Sequence, residues 1–166
     1  MESNYFIERM IGEWIIQSTN YPLLKINKTS CNFVNKVQWH YIKDNKKYLH
    51  IFFKHNQTNL LQKQSHLYSI HLVSNNKNNN NYYIALVTDR LNQLFLLKLD
   101  MSFNIINTFF IEKMNENFLY LSAYINKFKV IQKIYFLNNN VKLIKVIIKK
   151  GSSCISTFFT SEIRVS

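Results

Sequence analysis

Apolar residues along the chain follow two periods in turn. Over residues 4–12, Phe6, Ile7, Met10 and Ile11 fall on one side at helical spacing, Ser3 or Asn4 can cap the start, and Gly12 offers a left-handed stop. The pattern predicts one short helix. After Gly12 the period becomes two. Trp14, Ile16 and Ser18 alternate with Ile15, Gln17 and Thr19, and Val37, Trp39 and Tyr41 alternate with Lys36, Gln38 and His40 before an Asp44-Asn45 turn. Both stretches predict half-buried strands.

Residues Lys47 to His55 are read as a strand, although Tyr48, Ile51, Phe52 and His55 would also line a helix face. From Leu67 onward the pattern predicts strands at Leu67–Val73, Tyr82–Thr88, Gln93–Leu99, Phe103–Ile111, Phe118–Asn126, Phe128–Leu137, Val141–Lys149 and Cys154–Arg164. The links suit turning: Asp89-Arg90, Asn115-Glu116-Asn117, Asn138-Asn139-Asn140 and Gly151-Ser152-Ser153. Asn75–Asn81, six asparagines and a lysine, reads as a polar loop. So many short strands with such short links form an antiparallel meander, and the fold expected is a mainly β, up-and-down barrel with a short N-terminal helix. No repeat or domain boundary interrupts residues 1–166, so one domain is expected. The inside of such a barrel can hold one elongated apolar ligand.

Composition narrows the chemistry. With 47% apolar residues the chain can build a sizeable core. Cys31 and Cys154 are too few for a disulfide scaffold or a thiolate metal cage. Gly12 and Gly151 are the only glycines, so a glycine-rich phosphate loop is excluded. The histidines His40, His50, His55, His66 and His71 match no ligand spacing, and no metal site is expected. No apolar run is long enough to span a bilayer as a helix.

The net charge of +12 suggests nucleic acid at first. However, all 21 cationic residues except Arg9, Arg90 and Arg164 are lysine, whereas base recognition favours the bidentate arginine fork. The wealth of Ile, Asn, Lys, Phe and Tyr against few Gly, Ala, Arg and Pro follows A+T-rich codons, so much of the lysine reflects the genome. The opening residues, with Glu2 and Glu8, lack the pattern of a secretory or transit peptide, and the protein is expected to work where it is made.

The C-terminal third concentrates the candidate chemistry. One side of Phe128–Leu137 reads Phe128, Val130, Gln132, Ile134 and Phe136, so a single amide interrupts an apolar row and needs a partner in the protein or on a ligand. If Glu162 and Arg164 point the same way as Phe158 and Thr160, an acid and a base flank one end of the barrel. The competing expectation is an exposed cross-strand ion pair.

Two stretches at opposite ends resemble one family, the S-type phycobilin lyases, also called CpcS/CpeS chromophore lyases, of cyanobacteria and algal plastids. Phe6-Ile7-Glu8-Arg9, with Gly12-Glu13-Trp14-Ile15-Ile16-Gln17-Ser18-Thr19, resembles the family's opening helix and its Gly-x-Trp-x-x-Gln-Arg-Thr strand. Leu119–Tyr124, Gln132-Lys133-Ile134-Tyr135-Phe136 and the closing Ser156–Arg164 follow the family's order, the terminal Ser-Glu-Ile-Arg being the most specific piece. The resemblance implies a lipocalin-like (calycin) barrel and a lyase that attaches a phycobilin, an open-chain tetrapyrrole, to a cysteine of a phycobiliprotein subunit. The implied partners are the phycobilin, bound as substrate with no cofactor, and the apo-phycobiliprotein subunit, the lyase working alone or as a homo- or hetero-oligomer. The implied place is the plastid (chloroplast) stroma, with the gene in the plastid.

A bilin is apolar on its faces and anionic at its propionates, so it wants an apolar slot, cations at the mouth and acceptors for its ring N–H groups. The family's Glu-Arg-x-Trp-Phe stands here as Gln132 to Phe136, its Asn-Leu-Arg-x-Arg as Asn140 to Ile144, and its opening-strand arginine as Ser18. The resemblance thus leaves Gln132, Tyr135, Lys142 and Arg164 as the bilin-contacting candidates, with Lys145 as a replacement cation; it assigns no catalytic residue. Two other functions fit the same barrel: a non-catalytic bilin or lipid carrier, and a single-strand nucleic-acid binder using exposed aromatics and lysines.

Overall fold

The structure, a computed structural model, describes residues 2–22, 33–41, 61–73, 80–88 and 93–165. Among them a helix, α1 (Glu2–Met10), leads into strands β1 (Gly12–Pro22), β2 (Phe33–Tyr41), β3 (Leu61–Val73), β4 (Asn80–Thr88) and β5 (Leu94–Leu99). There follow β6 (Ile105–Met114), β7 (Phe118–Ile125), β8 (Phe128–Phe136), β9 (Val141–Lys150) and β10 (Ser153–Arg164). Each strand pairs antiparallel with the next, and β1 pairs with both β2 and β10, so the ladder returns on itself as a barrel. The expected mainly β, antiparallel up-and-down barrel with one short N-terminal helix is the fold observed.

The sequence places the strands closely, and where it errs the reason is local. Phe103, read as the start of a strand, instead closes a turn before β6 with φ 63°. There the Asp100 carboxylate accepts the backbone N–H groups of Ser102 at 2.8 Å and Asn104 at 2.9 Å. Its ring is nonetheless buried, stacked on Tyr83 with centroids 4.7 Å apart. An apolar side chain inside a turn is indistinguishable by pattern from the first residue of a strand. Asn126 likewise belongs to the two-residue link between β7 and β8, with φ 56°. Asn80 and Asn81, read as loop, begin β4, and β3 starts at Leu61, earlier than expected. The readings at Asp44-Asn45, Lys47–His55 and Asp89-Arg90 lie outside the described residues.

Burial explains two kinds of pattern. On β7 to β10 one face alternates into the barrel, with Leu119, Leu121, Ile134 and Phe136 at 5% exposure or less. On β4 and β5 both faces are buried: Ile84, Leu86 and Leu96 on one, Ala85, Val87, Leu97 and Leu99 on the other. That is why these segments read as nearly continuous apolar runs.

The helix closes one end of the barrel. Phe6, Ile7 and Met10 are buried against Trp14 and Phe136, and the Phe6 and Phe136 rings meet edge to face with centroids 5.1 Å apart. Gly12, at φ 126°, provides the reversal from helix to strand that a β-carbon would oppose. The Arg9 guanidinium pins the helix to the β6–β7 link, donating to Glu116 O at 3.0 Å and Asn117 Oδ1 at 2.6 Å. Because the ladder is antiparallel throughout, odd-numbered strands run away from this closed end and even-numbered strands run toward it.

Candidate functional site

Beneath α1 lies a buried charge cluster built by direct cross-strand pairing. In the register of β9 and β10, Lys142 stands opposite Glu162, and Trp14 of β1 stands opposite Arg164 of β10. Lys142 Nζ and Glu162 Oε2 are 2.8 Å apart, with the lysine side chain fully buried and that of the glutamate 7% exposed. The ammonium also sits 4.0 Å from the centroid of Trp14 and 3.6 Å from Met10 Sδ. Trp14 is fixed in turn by its indole N–H, which donates to Met10 O at 2.9 Å. Burial pulls the Lys142 ammonium below the usual lysine range, and Glu162 opposes that pull.

Arg164 lies at the edge of the same cluster. Its guanidinium packs 4.6 Å from the Trp14 centroid and donates from Nη2 to Arg9 O in the last turn of α1. A cation at that helix end meets the unpaired carbonyls of the last turn. Desolvation, with Arg9 adding repulsion, lowers its affinity for its proton.

Above the cluster is a cavity of about 250 Å³ inside the barrel. Its wall is largely apolar, from Met10, Ile16, Val37, Ile84, Leu96, Phe109, Leu121, Ile134 and Ile144. Four polar side chains interrupt it: Tyr82, Lys98, Gln132 and Glu162. Burial first, and the negative Glu162 second, push the Tyr82 hydroxyl up to about 12, so it remains a neutral hydrogen-bonding group. Lys98 Nζ is 4.1 Å from the Tyr82 ring centroid, and burial lowers its affinity for its proton. Toward the end opposite α1, Val130, Val146, Ile148 and Phe158, on the inward rows of their strands, keep part of their surface exposed.

The sequence candidates divide among three places. Gln132 lines the cavity on the row expected for it. Lys142 is not at a mouth: it lies at the closed end, behind Glu162 and paired with it. Glu162 and Arg164 do flank one end of the barrel, as the alternation implies. The exposed ion pair weighed against that reading is replaced by a buried one, and the acid's partner is Lys142 rather than Arg164. Tyr135 and Lys145 face outward, along a groove of about 350 Å³ that also passes Gln17, Leu143 and Phe159. This outer groove is larger but open to solvent, and an elongated apolar ligand removes more of its surface from water inside the barrel. Ser18, on the inward row, bonds its neighbour Thr160 across β1 and β10 at 3.2 Å. The sequence reading missed Tyr82 and Lys98. Lys98 carried a signal, as a lysine on the row of Leu94 and Leu96 in a short apolar strand.

No protein-family model matches the chain, and no curated protein matches it. Among solved structures, the one titled "Structure of EF1p2_mFAP2b bound to DFHBI" matches with a TM-score of 0.38 and 9% identity over 96% of this chain and 97% of that one, too weakly to carry an argument. The S-type phycobiliprotein lyase CPES from Guillardia theta matches with a TM-score of 0.66 and 15% identity, covering 100% of this chain and 94% of that chain. At that identity the likeness is one of fold: from end to end, this chain folds as an S-type phycobiliprotein lyase does.

Proposed function

We propose that the protein is a chromophore lyase that binds a phycobilin in its barrel and delivers it to a cysteine of a phycobiliprotein subunit. The observation that carries this reading is the likeness over the whole chain to a phycobiliprotein lyase. The interior suits the ligand: apolar walls for the flat faces of the tetrapyrrole, and the Gln132 amide oxygen as an acceptor for pyrrole N–H groups. Attachment is an addition, in which the acceptor's sulfur bonds to the bilin ethylidene carbon and the thiol proton passes to the neighbouring ring carbon. The lyase contributes by holding the bilin in one orientation, and the partner brings the nucleophile. No cofactor is needed, since the bilin is the substrate. The proposed place is the plastid stroma, with the gene in the plastid.

A carrier on the same barrel is the second reading. Gln132 favours it, because a neutral amide accepts weaker hydrogen bonds than the carboxylate that the family motif places there. The deciding experiment titrates the protein with phycocyanobilin and phycoerythrobilin by visible absorption, then adds an apo-phycobiliprotein and reads covalent fluorescence on a denaturing gel. A saturable red-shifted complex and a labelled acceptor band establish the lyase. Binding without labelling leaves the carrier, and an unchanged spectrum refutes both bilin readings.

A further inference from the structure

We propose that Lys98 is an anion-binding residue of the barrel interior, its ammonium taking a carboxylate of an elongated apolar ligand. For a phycobilin that carboxylate is a propionate. The inference rests on the function proposed above for the ligand's identity, but the requirement for an acid group comes from the cavity itself.

Three observations carry it. Lys98 lies on the inward row of β5 after Leu94 and Leu96, and its register partners are Ile84 on β4 and Asn107 on β6. The positions before it on that row are apolar, and Lys98, half-buried, gives up part of its hydration there. Second, among the described residues no carboxylate lies within ion-pair distance of Lys98, whose ammonium instead faces the Tyr82 ring at 4.1 Å. Lys142, another inward lysine among the described residues, has its carboxylate at 2.8 Å. Burial also lowers the Lys98 ammonium's hold on its proton, the state that a bound anion would reverse.

Third, the charges along the cavity are separated. Glu162 lies at the end closed by α1, whereas Lys98 is the penultimate residue of β5, a strand that runs away from that end. A ligand carrying an acid at one edge is therefore oriented, with its carboxylate toward Lys98 and its uncharged part toward Gln132 and the closed end. Such an arrangement fixes which part of a bound bilin lies toward the end opposite α1.

The test compares the unaltered protein with Lys98→Met and Lys98→Arg, each first checked for native far-ultraviolet circular dichroism. Two pairs of probes are used: phycocyanobilin against its dimethyl ester, and palmitate against hexadecanol. The unaltered protein is expected to bind the free acid about tenfold or more tightly than its uncharged analogue, the scale of one charge-assisted contact. Lys98→Met should reduce that preference to within about twofold while Lys98→Arg retains most of it. If Lys98→Met keeps the acid preference, or the unaltered protein shows none for either pair, the proposal is overturned. If only palmitate binds, with a preference that depends on Lys98, the anion site stands and the phycobilin reading fails. If the bilin binds with no dependence on Lys98, the reverse holds.

Discussion

Removing Lys142 alone should cost a large fraction of the stability, whereas removing Lys142 and Glu162 together should not. In Lys142→Met the 2.8 Å ion pair is lost and the Glu162 carboxylate stays almost buried without its cation. Breaking a buried pair from one side costs about 3–5 kcal/mol, because the remaining charge is uncompensated. The loss of the ammonium over Trp14, at 4.0 Å, adds to this. Against the total of about 5–15 kcal/mol typical of a domain, one substitution removes a large fraction of the stability. Lys142→Met with Glu162→Leu leaves apolar volume on both strands, and such replacements are neutral or stabilise by about 1–4 kcal/mol. Urea denaturation followed by tryptophan fluorescence and circular dichroism gives both values, and with Glu162→Leu completes a double-mutant cycle. A loss under about 1 kcal/mol in Lys142→Met, or a double variant no more stable than that single one, would show that the pair is not the buried, mutually compensating contact described here.

Two further outcomes follow from local geometry, besides the bilin titration and the Lys98 comparison. Asn126→Val places a β-branched residue at φ 56° in the β7–β8 link and should cost about 1–3 kcal/mol in urea denaturation, whereas Asn126→Gly should change stability little; equal values for the two would remove the left-handed constraint. Glu13, bonded to Lys36 at 3.0 Å and to Gln38 at 3.3 Å, is held below its usual 4.5, so its contribution is present above that pH and is lost as pH falls through the lower folded value. The melting temperature of Glu13→Gln should therefore lie below that of the unaltered protein at neutral pH and converge with it in acid, and a gap that persists unchanged below the folded value contradicts this.

The candidate site was legible in proportion to how far each residue's role depends on alternation alone. Gln132 interrupts an apolar row, and a row on a strand is a face, so its inward position followed from the sequence. By the same rule Tyr135 had to lie on the opposite face, but the resemblance of its motif outweighed that parity. The signal at Lys98, a lysine on the row of Leu94 and Leu96, was weak because both faces of β5 are buried: in a run with no alternation, a single lysine does not reveal which way it points.

By itself the sequence determined the meander, most strand limits, the short helix and the absence of a glycine-rich phosphate loop, because each is a matter of period, turn chemistry or composition within a few residues. The tertiary structure alone decided what the charges do. Lys142 and Glu162 are twenty positions apart, and Arg9 and Arg164 stand near opposite ends of the chain. Lys142 and Glu162 meet through the register of β9 and β10, and Arg164 reaches Arg9 because α1 closes the barrel beside the paired ends of β1 and β10. An expected mouth cation thereby became half of a buried ion pair, and Lys98, on another strand, was left as the ammonium facing the cavity. Burial and pairing set the state of a charge, and both are properties of the closed barrel that no stretch of ten residues contains.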